Sequence, residues 1–101
     1  MKALLTRFLG LRPKLDATHL TFTIYSREGC DCCVTALELL AESQKRHGFG
    51  IEIINVDADP QFAEKYGLSV PVVFLNGKER FKGKVNPALL DRLLLAESRS
   101  D

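Results

Sequence analysis

The spacing of apolar and polar residues predicts a chain of alternating strands and helices. Residues 20–25 alternate apolar and polar side chains and are mostly β-branched or aromatic, which is typical of a strand. Apolar residues then recur with a helical period from Asp31 to about His47, and Gly48 is a common residue just beyond a helix end. The remaining predicted elements are strands at 51–56, 72–75 and 78–82, a helix at 60–66, and a last helix that begins at 87.

Local signals at the ends of these elements support the order and indicate the topology of the sheet. The pairs Asp59-Pro60 and Asn86-Pro87 are typical helix starts, and Asn76-Gly77 is the best two-residue hairpin signal in the chain. A helix between the first two strands implies a parallel, right-handed crossover, whereas the tight turn makes the last two strands antiparallel. The sequence therefore predicts an α/β fold of order β-α-β-α-β-β-α, with a four-stranded mixed sheet and helices on both faces.

Length and charge indicate one small globular domain. The 101 residues include 46% hydrophobic and 27% charged side chains, and the formal net charge of +1 argues against nucleic-acid or membrane binding through bulk charge. We expect a domain at 19–97, preceded by an extension at 1–18 that is a short helix or disordered, and followed by a polar tail at 98–101. We expect neither a signal peptide nor a transmembrane segment, and we expect a cytoplasmic monomer.

The candidate chemistry is concentrated in three cysteines within four positions. Cys30, Cys32 and Cys33 are too closely spaced to staple a secreted fold, so they indicate a reducing compartment and a local redox or metal role. Cys30 and Cys33 are the easy disulfide pair, because they are neighbours on a helical turn, whereas adjacent Cα atoms are only about 3.8 Å apart. We assign Cys30 as the exposed attacking thiolate and Cys33 as the buried resolving thiol.

The start of the helix is expected to make Cys30 more acidic than an ordinary thiol. A thiol with a pKa of about 8.5 needs about 2 kcal/mol to reach half ionisation at pH 7, and a helix N-terminus supplies roughly 0.3–1 kcal/mol. Arg27 is the nearby cation that could supply the rest, whereas Glu28 and Asp31 oppose a negative sulfur. We therefore predict moderate activation of Cys30.

The C-x-x-C pair, Cys32 and Val70-Pro71 can each be interpreted either as purely structural or as functional. A lone C-x-x-C pair also occurs as buried structural thiols or as half a zinc site, but zinc needs two more ligands and the histidines are His19 and His47, so we expect no metal. Cys32 is either a small residue at the margin of the apolar helix face or a second accessible thiol. Val70-Pro71 is either a trans proline entering a strand or a cis bond that exposes the Val70 backbone beside Cys30.

Taken together, these motifs resemble those of a known family. The segments that carry the likeness are YSREGC at 25–30, VDADP at 56–60 and SVP at 69–71, within a pattern that extends over about 20–97. In this order they resemble the thioredoxin fold in its short glutaredoxin form, and more narrowly the small bacterial glutaredoxin-like proteins. The resemblance covers nearly all of the chain beyond its N-terminal extension.

The resemblance also implies roles for individual residues. It implies a cis peptide bond before Pro71, and it identifies Cys30 as the residue that forms mixed disulfides. In glutaredoxins a basic residue three positions before that cysteine helps to hold a glutathione carboxylate, and Arg27 occupies this position here. The Val70 backbone would pair with the glutathione tripeptide, and Tyr25 belongs to the same substrate-binding set.

Two segments depart from the family pattern. Asp31-Cys32 stands between the paired cysteines where glutaredoxins usually have Pro-Tyr, and GKVNP at 83–87 replaces a Gly-Gly pair followed by an acidic turn. Pro87 has no N–H to offer to the γ-glutamyl carboxylate of glutathione. Both departures bear on whether glutathione is a substrate.

The leading hypothesis is a thiol–disulfide oxidoreductase in which Cys30 attacks and Cys33 resolves. Its substrates would be protein disulfides or glutathione mixed disulfides, its electron donor a reductase or glutathione, and it would need no tightly bound cofactor. The alternative is a non-catalytic thioredoxin-fold module that recruits a partner protein through the N-terminal apolar stripe or a sheet edge. A third hypothesis is an iron–sulfur carrier, which Cys33 disfavours because carriers of this fold often have a single active-site cysteine.

Overall fold

A computed structural model of the chain describes residues 17–98, and within them the predicted order of strands and helices is confirmed. No helix of this part of the chain is long and apolar enough to cross a membrane. The strands are β1 Thr21–Ser26, β2 Gly50–Asn55, β3 Val72–Leu75 and β4 Lys78–Lys82, and the α-helices are α1 Asp31–His47, α2 Pro60–Tyr66 and α3 Pro87–Ser98.

The four strands form the predicted mixed sheet, in the order β2-β1-β3-β4. β1 pairs with β2 in parallel and with β3 antiparallel, so the strand that leads to the cysteines lies inside the sheet. β3 and β4 form the antiparallel hairpin that the turn signal predicts. Asn76 and Gly77 both have positive φ, 49° and 85°, as the two central residues of such a turn require.

The capping signals predicted from the sequence operate as expected. The Asp59 side chain accepts a hydrogen bond from the Gln61 N–H with Pro60 at the first helical position, and Asn86 accepts from the Ala88 N–H. Two strands differ from the prediction by one residue at each end, since the sequence predicts β1 at 20–25 and β2 at 51–56. The Asn55 side chain accepts the N–H of Asp57 and starts a 3-10 turn, Val56–Ala58, so β2 ends one residue earlier.

The two faces of the sheet are covered by different helices. On one face, Phe22 and Ile24 of β1 belong to a buried cluster with residues of α1 and α3. Side chains alternate along a strand, so Tyr25 lies on the other face, where its ring contacts rings of α2. The members of the buried cluster from the two helices are Ala36, Leu40, Leu90 and Leu94. Helices therefore lie on both faces, as predicted.

The core begins before the predicted domain boundary. Ala17, which the prediction placed in the N-terminal extension, is fully buried in the core cluster, and its N–H donates to the His47 carbonyl at 3.2 Å. The rest of the predicted extension, apart from Thr18, lies outside the described residues, as do residues 99–101 of the predicted tail.

The fully buried side chain of Leu40 allows a stability prediction. We expect Leu40→Ala to lower the free energy of unfolding by about 2–5 kcal/mol, because it removes buried methyl groups and leaves a cavity in the core cluster. Leu95→Ala is the matched control, since Leu95 is 45% exposed on α3 and its loss is expected to cost at most about 0.5 kcal/mol. Urea unfolding of both variants measures the difference, and equal losses would contradict this placement of the core.

Candidate redox site

The local structure places Cys30 at the N-terminus of α1. After β1 the chain turns through Gly29, which has a φ of 77°, and Cys30 is the N-cap residue with φ −97° and ψ 105°. The Cys30 Sγ accepts a hydrogen bond from the Cys33 N–H at 3.1 Å. A backbone donor and the positive end of the helix dipole both stabilise negative charge on this sulfur.

Cys30 and Cys33 are joined by a disulfide, and their Cα atoms lie 5.2 Å apart. The two sulfurs differ in exposure, since Cys30 is partly exposed and Cys33 is only 3% exposed. In this arrangement an incoming reagent meets Cys30 first. The exposed fraction of Cys33 agrees with the buried position predicted for it.

The Val70-Pro71 segment lies against the sulfur of Cys30. The peptide bond between Val70 and Pro71 is cis, and the Val70 carbonyl oxygen is 4.0 Å from the Cys30 Sγ. Pro71 is buried, and its carbonyl accepts the Gly83 N–H at 2.8 Å beyond the end of β4. The structure therefore brings together Cys30, Cys33 and Val70, although 40 positions separate Cys30 from Val70.

Arg27 forms an ion pair that the sequence does not indicate. Its Nε and Nη2 donate to the two carboxylate oxygens of Asp57 at 3.0 and 2.9 Å, and its Nη1 donates to the Gly67 carbonyl at 3.0 Å. The guanidinium forms a bidentate ion pair, so the negative charge of Asp57 offsets part of its positive charge. The hydrogen bond from Arg27, and then its charge, lower the pKa of Asp57 below its ordinary value.

Asp57 is the partner that the sequence reasoning missed. It lies in the VDADP segment that carries part of the family likeness, but nothing in the local pattern pairs it with a residue 30 positions earlier. Through Arg27 the loop before Cys30 is tied both to the Val56–Ala58 turn and to Gly67, which precedes the Val70-Pro71 segment.

Tyr25, a predicted substrate-binding residue, takes part in an aromatic cluster on the α2 face of the sheet. Its ring centroid lies 4.4 Å from that of Tyr66, 5.3 Å from that of Phe62 and 5.5 Å from that of Phe74. Burial, followed by the nearby Tyr66 and Glu52, raises the pKa of the Tyr25 hydroxyl. These contacts give the ring a packing role under the end of β1.

Cys32 is a free, exposed cysteine in the first turn of α1. It borders a surface groove of about 260 Å³, which is also lined by Asp31, Thr35, Ala36, Lys84 and Val85. Of the two interpretations that the sequence left open, the exposed position favours an accessible thiol. Within residues 17–98 no group of three or more His, Cys, Asp or Glu side chains is arranged to hold a metal ion.

The exposure of Cys32 predicts a simple labelling pattern. The oxidised protein should take up one N-ethylmaleimide per chain, because Cys30 and Cys33 are blocked in the disulfide while Cys32 is open to solvent. Mass spectrometry of the intact protein counts the adducts, and oxidised Cys32→Ser, the control, should take up none. An oxidised wild-type chain that stays unlabelled in the native state would contradict the exposed placement of Cys32.

The fold and the paired cysteines together define a class of protein. A four-stranded mixed sheet that carries a C-x-x-C disulfide at the start of its first long helix is a thioredoxin-like fold with a redox-type role. A profile described as Glutaredoxin-like domain (DUF836) matches residues 21–95. The chain belongs to this family of glutaredoxin-like proteins in the thioredoxin superfamily.

Two individual proteins are similar to part of this chain. An uncharacterised protein of Mycobacterium tuberculosis is 36% identical over 61 residues, which are 55% of this chain and 63% of the mycobacterial protein, so the match spans less than two thirds of that relative. A Methanothermobacter thermautotrophicus protein with the name "Probable Thioredoxin" is 33% identical over 63 residues, 59% of this chain and 74% of that protein.

Solved structures show the same fold. A structural-genomics target protein from X. campestris superimposes with a TM-score of 0.62 at 33% identity, over 74% of this chain and 96% of the other. A mutant thioredoxin from Halobacterium salinarum gives a TM-score of 0.63 at 17% identity, over 81% of this chain and 77% of the other. The second comparison shows a shared fold alone.

Proposed function

We propose that this protein is a cytoplasmic thiol–disulfide oxidoreductase. The observation that supports the proposal best is the Cys30–Cys33 disulfide at the N-terminus of α1, with the more accessible sulfur beside the Val70 carbonyl. A reversible disulfide between an exposed and a buried cysteine is the arrangement that such exchange requires.

The reaction begins with the reduced pair. The Cys30 thiolate attacks one sulfur of a substrate disulfide, the substrate S–S bond breaks, and the departing thiolate takes a proton from solvent. Cys33 then attacks the Sγ of Cys30, which closes the Cys30–Cys33 disulfide and releases the second substrate thiol. Two electrons pass from the protein dithiol to the substrate, and a reductase or glutathione would return them.

The site favours moderate activation of Cys30. The Cys33 N–H and the helix N-terminus stabilise its thiolate, whereas Glu28 and Asp31 are exposed acidic neighbours that oppose it. The negative charge of Asp57 offsets part of the positive potential that Arg27 would add. The substrate chain would lie along Val70 and Pro71, where the backbone carbonyl is close to the reacting sulfur.

Equilibration in defined glutathione redox buffers tests the proposal. The pair should change from dithiol to disulfide in a two-electron transition, in which the ratio of disulfide to dithiol changes tenfold for about each 30 mV of buffer potential. Alkylation after acid quenching and mass spectrometry of the intact chain measure the oxidised fraction, and Cys30→Ser should show no such transition. A wild-type pair that keeps one redox state across all buffers would overturn the proposed function.

A further inference from the structure

The electrostatics of the site point to a class of substrate. Glutathione carries two carboxylates, so a site that uses it well needs free cations or unsatisfied backbone N–H groups near the reactive sulfur. Three features of the described residues make the surroundings of Cys30 unfavourable for a carboxylate. They are the ion-paired guanidinium of Arg27, the capped start of α3 and the two acidic neighbours of the cysteine.

The guanidinium of Arg27 is already engaged. It donates to both carboxylate oxygens of Asp57 and to the Gly67 carbonyl, at 2.9–3.0 Å. An incoming carboxylate that approaches the guanidinium meets the negative charge of Asp57, which is ionised at neutral pH.

The start of α3 is also satisfied within the chain. The loop that leads to this helix borders the same groove as Cys32, through Lys84 and Val85. Pro87 has no N–H, and the Asn86 side chain accepts the N–H groups of both Ala88 and Leu89 at 2.9 and 3.2 Å. A carboxylate that approaches this helix end finds its first donors occupied.

The charges closest in sequence to Cys30 are negative. Glu28 and Asp31 are exposed and lie two residues before and one residue after it, while Lys84 lines the groove with Asp31 and offsets part of their field. Because they are so close in sequence, the Cα atoms of Glu28 and Asp31 lie within about 8 Å of the Cys30 Cα. This separation is about one Debye length at physiological salt, so salt screens these charges only in part.

We infer that this site prefers polypeptide disulfides with neutral or basic residues beside the cysteine, and disfavours glutathione disulfides. The inference rests on the proposed function, because it concerns the substrate of the same exchange reaction. In that reaction the reduced pair gives two electrons and two protons to the peptide disulfide, which becomes two peptide thiols. A basic residue next to the substrate sulfur meets Glu28 and Asp31, whereas an acidic residue is repelled.

Matched probes test the inference on the reduced, full-length protein. The probes are the symmetrical disulfides of acetyl-Lys-Cys-amide, acetyl-Gln-Cys-amide and acetyl-Glu-Cys-amide, together with oxidised glutathione. The second-order rate of Cys30–Cys33 oxidation is measured by acid quench and mass spectrometry, and each rate is divided by that of 2-mercaptoethanol with the same probe. We expect the normalised rate to be highest with the lysine probe, lower with the glutamine probe and lowest with the glutamate probe. At low salt the lysine and glutamate probes should differ by on the order of tenfold, and oxidised glutathione should be among the slow probes.

Variants and salt assign the effect to the named charges. The double variant Glu28→Gln, Asp31→Asn should reduce the spread of normalised rates between the probes to about twofold, and high salt should do the same. The control double variant, Glu38→Gln with Glu42→Gln, changes exposed positions further along α1 and should leave the spread unchanged. Equal normalised rates, or a faster reaction with glutathione, would overturn the inference and leave the proposed function standing. If no probe oxidises the wild-type pair, the proposed function itself fails.

Discussion

Cys30→Ser is expected to reduce disulfide reductase activity to the uncatalysed background, whereas Cys33→Ser should stop at a covalent complex with its substrate. The difference follows from the exposure of the two sulfurs, since Cys30 is reachable from solvent and Cys33 is 3% exposed beneath it. Without Cys30 no mixed disulfide can form at this position. Without Cys33 the mixed disulfide on Cys30 has no internal thiol placed to resolve it, because Cys32 lies on the exposed side of the turn.

Insulin reduction and non-reducing electrophoresis separate these outcomes. With dithiothreitol as the electron donor, the turbidity of reduced insulin reports turnover. The covalent complex appears as a band on a non-reducing gel, and this band disappears when excess reductant is added. Cys32→Ser is the matched control, since it removes a thiol from the same turn, and it should keep most of the wild-type rate. If Cys30→Ser reduces insulin at the wild-type rate, or if the Cys32 variant traps substrate in place of the Cys33 variant, the assigned roles are wrong.

Arg27→Met should lower kcat/KM for disulfide reduction by on the order of tenfold while the chain stays folded. Arg27 holds the loop before Cys30 against Asp57 and against Gly67, which precedes Val70-Pro71, so its loss releases the two segments that meet at the sulfur. Small misplacements of reacting groups can cost up to about a hundredfold in rate. Arg27→Lys should not restore the rate, because an ammonium cannot make the two-pronged contact with a carboxylate.

Arg80→Met is the control for the loss of an ion pair alone. Arg80 pairs with Glu97 at 3.5 Å, and the side chains of this pair are about one third exposed, as that of Arg27 is. We expect it to leave kcat/KM within about twofold of wild type. Equal losses of kcat/KM for the two variants would mean that Arg27 stabilises the fold without positioning the site.

The Arg27–Asp57 pair also predicts a pH dependence of stability. The pKa of Asp57 is lower in the folded protein than its ordinary value of 3.8, so the folded state favours the ionised carboxylate. The contribution of the pair is fully present above that ordinary value and is lost as the pH falls through the lower, folded value. The urea midpoints of wild type and Arg27→Met should therefore differ at about pH 6 and converge as the pH is lowered below 3.8. A difference that stays constant over this range would contradict the assignment.

Much of the fold follows from local signals in the sequence. The Asp59-Pro60 and Asn86-Pro87 starts and the Asn76-Gly77 turn act within a few residues, and the structure places elements at each of them. The hydrophobic phase of α1 also puts Cys33 on the buried side. The crossover and hairpin rules then leave few arrangements for four strands, which is why the mixed sheet could be predicted.

The features that escaped prediction depend on contacts between distant parts of the chain. Arg27 and Asp57 are 30 positions apart and both are residue types common on surfaces, so neither one indicates the other. The end of β2 depends on the Asn55 side chain, which accepts the Asp57 N–H in competition with continuation of the strand. Cys32 and Cys33 differ by one position, which is about 100° around a helix, and Cys32 lay too close to the edge of the predicted apolar face to be assigned.

The buried position of Ala17 has a practical consequence for shortening the chain. A truncated version beginning at residue 19, the boundary that the sequence suggests, would lack a side chain that fills the core and the backbone donor that engages the end of α1 at His47. Any minimal version of this protein that is meant to remain intact should therefore start no later than Ala17.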